Sequence, residues 1–109
     1  MLEDNLNKFD LLVAELRETY AKKNKDYGDS FNESMDEYGM IAFLVRAGDK
    51  LKRIRTLSTK TALVTEEQIE DTLKDLANYS IMAVMWLEGK REEDNAEEEK
   101  DNHYIPGGY

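Results

Sequence analysis

The apolar residues of this chain recur at helical spacing, and that spacing limits the fold more than any other feature. Three stretches carry apolar side chains at alternating steps of three and four residues, which is the pattern of an amphipathic helix. The three sets are Leu6, Phe9, Val13, Leu16 and Tyr20; Met40, Phe43, Ala47, Leu51 and Ile54; and Ile69, Leu73, Leu76, Ser80, Ala83 and Leu87. A single proline and few β-branched runs leave little strand signal. The sequence therefore predicts an all-α fold, an antiparallel bundle of three long helices plus a short segment.

Local signals place the ends of the first two helical regions. The first helix is expected over about residues 3–23, and the segment 22–30, KKNKDYGDS, is expected to form a tight loop. Ser30 and Glu33 have the spacing of a capping box, so a new helical segment is expected to begin there. Gly39 is expected to divide that segment from the main second helix.

The third helix is expected over about residues 66–90, after the irregular connector STKTALV and a capping box formed by Thr65 and Gln68. Beyond Tyr79 this helix is apolar on nearly every side. Such a helix lies at the centre of a bundle or in an oligomer interface. Three helices rarely surround it, so the sequence predicts a homodimer or higher homo-oligomer that completes the bundle.

Charge is distributed unevenly along the chain. Residues 92–101 contain seven acidic residues and one lysine, so we expect one helical domain over residues 1–91 and an acidic flexible tail over residues 92–109. The net charge of −9 argues against direct binding of nucleic acid. No membrane-spanning stretch and no signal-peptide pattern occur, and a cytoplasmic location without membrane partners is expected.

Three polar residues share one face of the predicted third helix. At about 100° per residue, Asp71, Asp75 and Asn78 fall within about 60° of one another. If the second and third helices are antiparallel, the short connector brings Asp49 to a similar height. Three carboxylates beside an amide suit Mg²⁺, which prefers oxygen ligands. Asp49, Asp71 and Asp75 are therefore the candidate metal ligands and catalytic residues.

Basic residues flank this group on the second helix. Arg46, Lys50 and Arg53 lie on one side of that helix and could contact phosphates, with arginine offering a bidentate fork. The competing interpretation is a network of ion pairs between the arginines and Asp71 or Asp75, with no ligand. Spacing alone leaves both interpretations open.

The predicted loop is a second candidate for ligand binding. Lys25, Asp26 and Tyr27 place a donor, an acceptor and an aromatic ring in three consecutive positions. Such a group could hold a base or a phosphate, although charged loops that contain Tyr-Gly are also ordinary surface features.

Three segments, KDYGDSF, RAGDKLKRI and EDTLKDLANYSIM, occur in this order and resemble the nucleotide modification associated domain family of phages and bacteria. That family is similar to the MazG-like all-α nucleoside triphosphate pyrophosphohydrolases, and the resemblance covers roughly residues 20–88. It implies a dimeric or higher helical bundle that cleaves a (deoxy)nucleoside triphosphate to the monophosphate and pyrophosphate. In the superfamily, a Glu-x-x-Glu pair and a Glu-x-x-Asp pair hold Mg²⁺, and a metal-activated water attacks.

The resemblance assigns these pairs to particular positions of this chain. The second pair falls on Asp71 and Asp75, which are four residues apart and not three. The first falls near Arg46 and Asp49, so an arginine occupies the place of one glutamate, which implies weaker metal binding or a single ion. Asn78 would supply a further ligand or contact the sugar, and the loop over residues 25–27 would close over the nucleotide.

The leading hypothesis is therefore a Mg²⁺-dependent nucleotide pyrophosphohydrolase. One alternative is a nucleotide-binding accessory protein with weak catalysis, which the arginine in place of a glutamate favours. Another is a helical dimeric interaction protein whose charges form only ion pairs.

Overall fold

The computed structural model describes residues 1–60 and 63–103, apart from the side chains of Asp26 and of residues 63–64 and 99–103. It contains four α-helices, α1 (Leu2–Lys23), α2 (Ser30–Tyr38), α3 (Met40–Leu57) and α4 (Leu63–His103), with a π-helical segment (Lys25–Asp29) between α1 and α2. No strand occurs in the described ranges. The predicted all-α class is thus confirmed. Residues 61–62, which belong to the predicted connector STKTALV, lie outside the described residues.

The segment predicted as a tight loop is helical. Asn24 and Ser30, on either side of it, have right-handed helical dihedrals, and the Asp29 N–H donates to the Asn24 carbonyl oxygen at 2.8 Å. This bond spans five residues, as expected for a π-bulge, a feature often found at functional sites. The chain therefore passes into α2 without leaving the helical conformation. For the same reason the predicted capping box of Ser30 and Glu33 is not formed, since α2 has no side-chain cap.

The glycine of the π-helical segment lies close to α1. A Cβ atom at Gly28 would lie 2.5 Å from Asn24 Oδ1 and 2.9 Å from Tyr20 Cε2, whereas one at Gly48 in α3 would meet nothing within 4 Å. We expect Gly28→Ala to lower the free energy of unfolding by about 1–3 kcal/mol through overpacking. Gly48→Ala, the matched control, should raise it by about 0.5–1 kcal/mol. Urea denaturation measures both, and equal changes for the two variants would contradict the packing at Gly28.

α3 and α4 are antiparallel, as the sequence predicts. The guanidinium of Arg46 lies over the Tyr79 ring, 5.9 Å from its centroid, and Lys50, one turn later on α3, meets Asp75, one turn earlier on α4. Gly39, at φ 68°, separates α2 from α3, also as predicted. This conformation strongly favours glycine. The turn at Gly39 sets the direction of α3, which runs antiparallel to α4.

The core lies where α2, α3 and α4 meet. Phe31 and Met35 of α2 are fully buried, and Ala42, Met82 and Ala83 complete the buried cluster. Partly buried aromatic residues pack against it, namely Tyr20, Tyr27, Phe43, Tyr79 and Trp86. The π-helical segment and the middle of α4 are therefore held in place by the same aromatic cluster.

α4 is longer than predicted at both ends. It begins at Leu63, so Thr65 lies buried within its first turn and does not cap it. It continues to His103, beyond the predicted end near residue 90, because residues 91–103 contain no glycine or proline and many good helix formers. No interruption marks the predicted boundary at residue 91. A mobile tail stays a prediction, and residues 104–109 lie outside the described part.

α1 packs only through its last turns. None of its residues is buried, and Leu6, Phe9 and Val13 of the predicted stripe are 52%, 65% and 43% exposed. The second half of the stripe, Val13, Leu16 and Tyr20, lines a cavity together with residues of α4. These exposed apolar residues do not indicate a membrane span, since no described helix is long and apolar enough to cross a bilayer.

Candidate functional site

An ion pair joins α3 to α4 at the predicted site. Lys50 Nζ lies 3.2 Å from Asp75 Oδ2, and the two side chains are partly exposed. The competing interpretation, a network of ion pairs, expected Arg46 or Arg53 to be the cation. In the structure, the cation that pairs with Asp75 is Lys50. The carboxylate of Asp75 is thus held at the surface beside one positive charge.

Tyr27 links the π-helical segment to the same position on α4. Its hydroxyl donates to the main-chain carbonyl oxygen of Asp75 at 3.2 Å, and its ring meets the Tyr79 ring edge to face at 4.8 Å. Burial, followed by the negative charge of Asp75, raises the pKa of the Tyr27 phenol well above its usual range. Tyr27 therefore stays a neutral hydrogen-bond donor that fixes the π-helical segment against Asp75.

A cavity of about 300 Å³ lies between α1 and α4, and we call it the polar cavity. Three predicted site residues line it together, Asp71, Asp75 and Asn78. The opposite wall is formed by α1, and the remaining lining residues are Glu15, Thr19, Lys23 and Lys74. The cavity thus contains carboxylate, amide and hydroxyl oxygens together with two ammonium groups.

Two contacts hold α1 over the polar cavity. Lys74 Nζ lies 2.9 Å from Glu15 Oε1, and this hydrogen bond raises the pKa of Lys74 above its ordinary value, so the side chain stays charged. Asn78 is buried and its Nδ2 donates to the carbonyl oxygen of Leu16 at 3.2 Å. Asn78 therefore has a structural contact that the sequence did not predict, in addition to its place in the cavity wall.

Asp49 and Arg53 line a different cavity. It has a volume of about 490 Å³ and lies between the end of α3 and the start of α4, and we call it the basic cavity. Its other lining residues are Lys52, Thr56, Leu57, Lys60 and Gln68. Asp49 has the predicted height along α3, but its neighbour Lys50 is the residue that faces Asp75. Successive helical residues point about 100° apart, which directs Asp49 away from the polar cavity.

The three predicted metal ligands do not form one group in the described part of the protein. Among the described residues, no three acidic or histidine side chains lie close enough together to hold a metal ion. Asp71 and Asp75 share the polar cavity, and Asp49 lines the other one. Among the described residues, Asp71 and Asp75 are therefore the predicted ligands that share one cavity, and Asp49 does not join them.

The remaining predicted residues have mixed surroundings. Arg46 lies over the Phe31 ring at 5.3 Å, and its Nη2 donates to Ser34 Oγ at 3.2 Å, so its guanidinium is engaged within the bundle. Lys25 is exposed, and the side chain of Asp26 lies outside the described part. Within the segment 25–27, Tyr27 alone has a described contact with the site.

Four lining residues of the polar cavity were not among the predicted site residues, namely Glu15, Thr19, Lys23 and Lys74. Glu15 and Thr19 of α1 lie one turn apart, next to Leu16 and Tyr20 of the apolar stripe. Residues beside the packed end of an apolar stripe also lie near the neighbouring helix. This position next to Leu16 and Tyr20 is the sequence signal that could have indicated Glu15 and Thr19. The crossing point of α1 on α4 was not predictable, so the signal could not be connected to Asp71 and Asp75.

The fold and the polar cavity define an all-helical protein that presents paired aspartates and lysines between its first and last helices. The model of the family described as Nucleotide modification associated domain 1 matches residues 23–87, more than half of the chain, and the chain belongs to this family. The match includes Tyr27, Lys50 and both aspartates of the cavity. No curated protein and no solved structure matches the chain. The family prediction is thus confirmed, and the wider MazG-like similarity stays a prediction.

Proposed function

We propose that this protein binds a (deoxy)nucleoside triphosphate at the polar cavity and, with Mg²⁺, hydrolyses it to the monophosphate and pyrophosphate. The observation that carries the proposal is the shared position of Asp71, Asp75 and Asn78 in one cavity together with two lysines. The family description associates the domain with nucleotide modification, which supports a nucleotide as the ligand. The proposal follows the predicted MazG-like activity.

The donor atoms of the polar cavity are compatible with Mg²⁺. Mg²⁺ usually keeps several waters and is held by one or two carboxylates plus substrate phosphates, so a cluster of three acidic residues is not required. Asp71 and Asp75 would hold the ion from the α4 wall, while Glu15 on the opposite wall stays paired with Lys74. When bound, Mg²⁺ supplies charge neutralisation and a more acidic water.

The side chains of the cavity would orient the substrate. Lys23 and Lys74 are positioned to attract phosphates, and the raised pKa of Lys74 keeps it cationic. Lys50 would leave Asp75 for a phosphate when the carboxylate gains another cation, since an exposed ion pair contributes little energy. Tyr27 would hold the backbone at Asp75 in place through its hydroxyl.

Pyrophosphate release tests the activity directly. A panel of canonical and modified deoxynucleoside triphosphates is incubated with the protein and Mg²⁺, and a parallel series contains EDTA. We expect Mg²⁺-dependent release from at least one member of the panel. Equal release in both series, or none from any member, would contradict the proposal.

A second candidate function is nucleotide binding without turnover, as an accessory protein of nucleotide modification. The ion pair of Lys50 with Asp75 favours it, because the pair occupies a carboxylate needed for the metal. A thermal shift with nucleotide but no pyrophosphate would support this candidate, since a ligand of the folded state raises stability. If neither a thermal shift nor pyrophosphate release is observed, the remaining hypothesis is a helical interaction protein whose charges form only ion pairs.

We also propose that two copies associate through their exposed apolar surfaces. Phe9 on α1 and Ile41, Leu44 and Val84 on the other helices are between 52% and 65% exposed, a large apolar exposure for a small monomer. We expect light scattering to give the mass of a dimer or higher oligomer, and Phe9→Glu to shift it toward the monomer. Asn7→Glu adds the same charge on another face of α1 and should leave the mass unchanged. A monomeric wild type would contradict this proposal.

A further inference from the structure

The described lining of the basic cavity has a net positive charge, with three cationic side chains and one carboxylate. Lys52, Arg53 and Lys60 line it, and none of the three forms an ion pair within the described residues. In the polar cavity, by contrast, Lys74 is paired with Glu15, and Lys23 is the one lysine of the lining without an ion pair in the described residues. The basic cavity therefore brings three cationic side chains together around one space.

The one carboxylate of the cavity, Asp49, offsets one of the three positive charges without pairing directly with any of them. Asp49 is three residues before Lys52 and four before Arg53, the spacings at which helical ion pairs form. Even so, no pair with Asp49 occurs within 4.0 Å. The three cations repel one another and remain oriented toward the same space, so the cavity favours an anionic ligand with several negative charges.

The size and the donor groups narrow the class of ligand. A volume of about 490 Å³ is within the range of small-molecule sites, about 300–1,000 Å³. Arginine offers a planar fork that binds phosphate oxygens in pairs, and lysine binds them as a point charge. The Gln68 amide adds an uncharged donor from α4, whereas the Thr56 hydroxyl already donates to the carbonyl oxygen of Lys52.

We propose that the basic cavity is a second ligand site, which binds a chain of two or three phosphates. It shares no lining residue with the polar cavity, so the two sites can be occupied separately. Arg53 is the principal contact, with Lys52 and Lys60 on either side of the phosphate chain. The ligand is either free pyrophosphate or the phosphate chain of a nucleotide, and both present the same chemistry to the cavity. The proposal does not depend on hydrolysis at the polar cavity.

Calorimetric titration of Arg53→Gln and Arg55→Gln against wild type tests the proposal. Both arginines are exposed residues of α3, but only Arg53 lines the basic cavity, which makes Arg55→Gln a matched control for charge. The probes are pyrophosphate, tripolyphosphate, a deoxynucleoside triphosphate and a nucleoside monophosphate, all with EDTA. We expect Arg53→Gln to weaken binding of the first three by about 10- to 100-fold, the effect of losing a hydrogen bond to a charged group.

Comparing the probes identifies the ligand, and comparing the variants identifies its site. Binding of pyrophosphate and nucleotide with equal affinity assigns the cavity to phosphates alone, and tighter nucleotide binding that Arg53→Gln removes assigns it to a nucleotide. Equal losses for Arg53→Gln and Arg55→Gln, or none for either, would overturn the proposal and would leave the activity at the polar cavity untouched.

Discussion

Asp75→Asn is expected to reduce pyrophosphate release by about 100-fold or more, the size of effect found when an electrostatic contact to the transition state is removed. The asparagine keeps the shape of the side chain but removes the negative charge that would hold Mg²⁺ in the polar cavity. Steady-state release of pyrophosphate, at a Mg²⁺ concentration that saturates the wild type, measures the loss. Partial recovery at higher Mg²⁺ would indicate that Asp75 acts through the metal.

Loss of folding does not account for this result. Asp75 pairs with Lys50 at 3.2 Å, and both side chains are partly exposed, so the pair contributes at most about 1 kcal/mol to stability. Asp10→Asn on α1 makes the same chemical change at an exposed position and should leave release at the wild-type rate. Release by Asp75→Asn at the wild-type rate, with normal folding, would remove Asp75 from the mechanism.

The helices were predictable because the apolar spacing is a local property. The predicted first helix over residues 3–23 and the break at Gly39 agree with the structure within one residue. The segment KDYGD was mistaken for a loop because its tyrosine, glycine and aspartates are typical of turns. The structure shows instead that the glycine admits the Tyr20 ring and that the tyrosine reaches α4. Those contacts join residues far apart in the sequence, so no local pattern indicated them.

The site was only partly predictable, for a similar reason. One helical face contains Asp71, Asp75 and Asn78, and this follows from spacing alone. The position of Asp49 depended on two quantities, its height along α3 and its direction around the helix axis. The connector length gave the height, but a rotation of one residue placed Lys50 and not Asp49 against Asp75. The contribution of Glu15 required the crossing point of α1, which depends on contacts between residues far apart in the sequence, such as the hydrogen bond from Asn78 to the carbonyl oxygen of Leu16.

Phe31→Ala is expected to lower the free energy of unfolding by about 3–5 kcal/mol, the range for removing a large aromatic side chain from a core. Phe31 has no exposed surface, its ring lies 5.5 Å from the Tyr79 ring, and the guanidinium of Arg46 lies over it at 5.3 Å. Small domains have total stabilities of about 5–15 kcal/mol, so the variant loses a large part of its stability. Urea denaturation followed by circular dichroism measures the change.

Two further variants separate the cavity from other causes. Tyr38→Ala removes an aromatic residue of the same helix that is 62% exposed and should change stability by less than about 0.5 kcal/mol. Phe31→Leu keeps most of the buried volume and should cost less than Phe31→Ala. If Tyr38→Ala lowers the free energy of unfolding as much as Phe31→Ala does, the loss comes from α2 as a whole and not from the buried ring. If Phe31→Ala alone is costly, the stability of α2 depends on one ring that also holds Tyr79 and Arg46 beside the site.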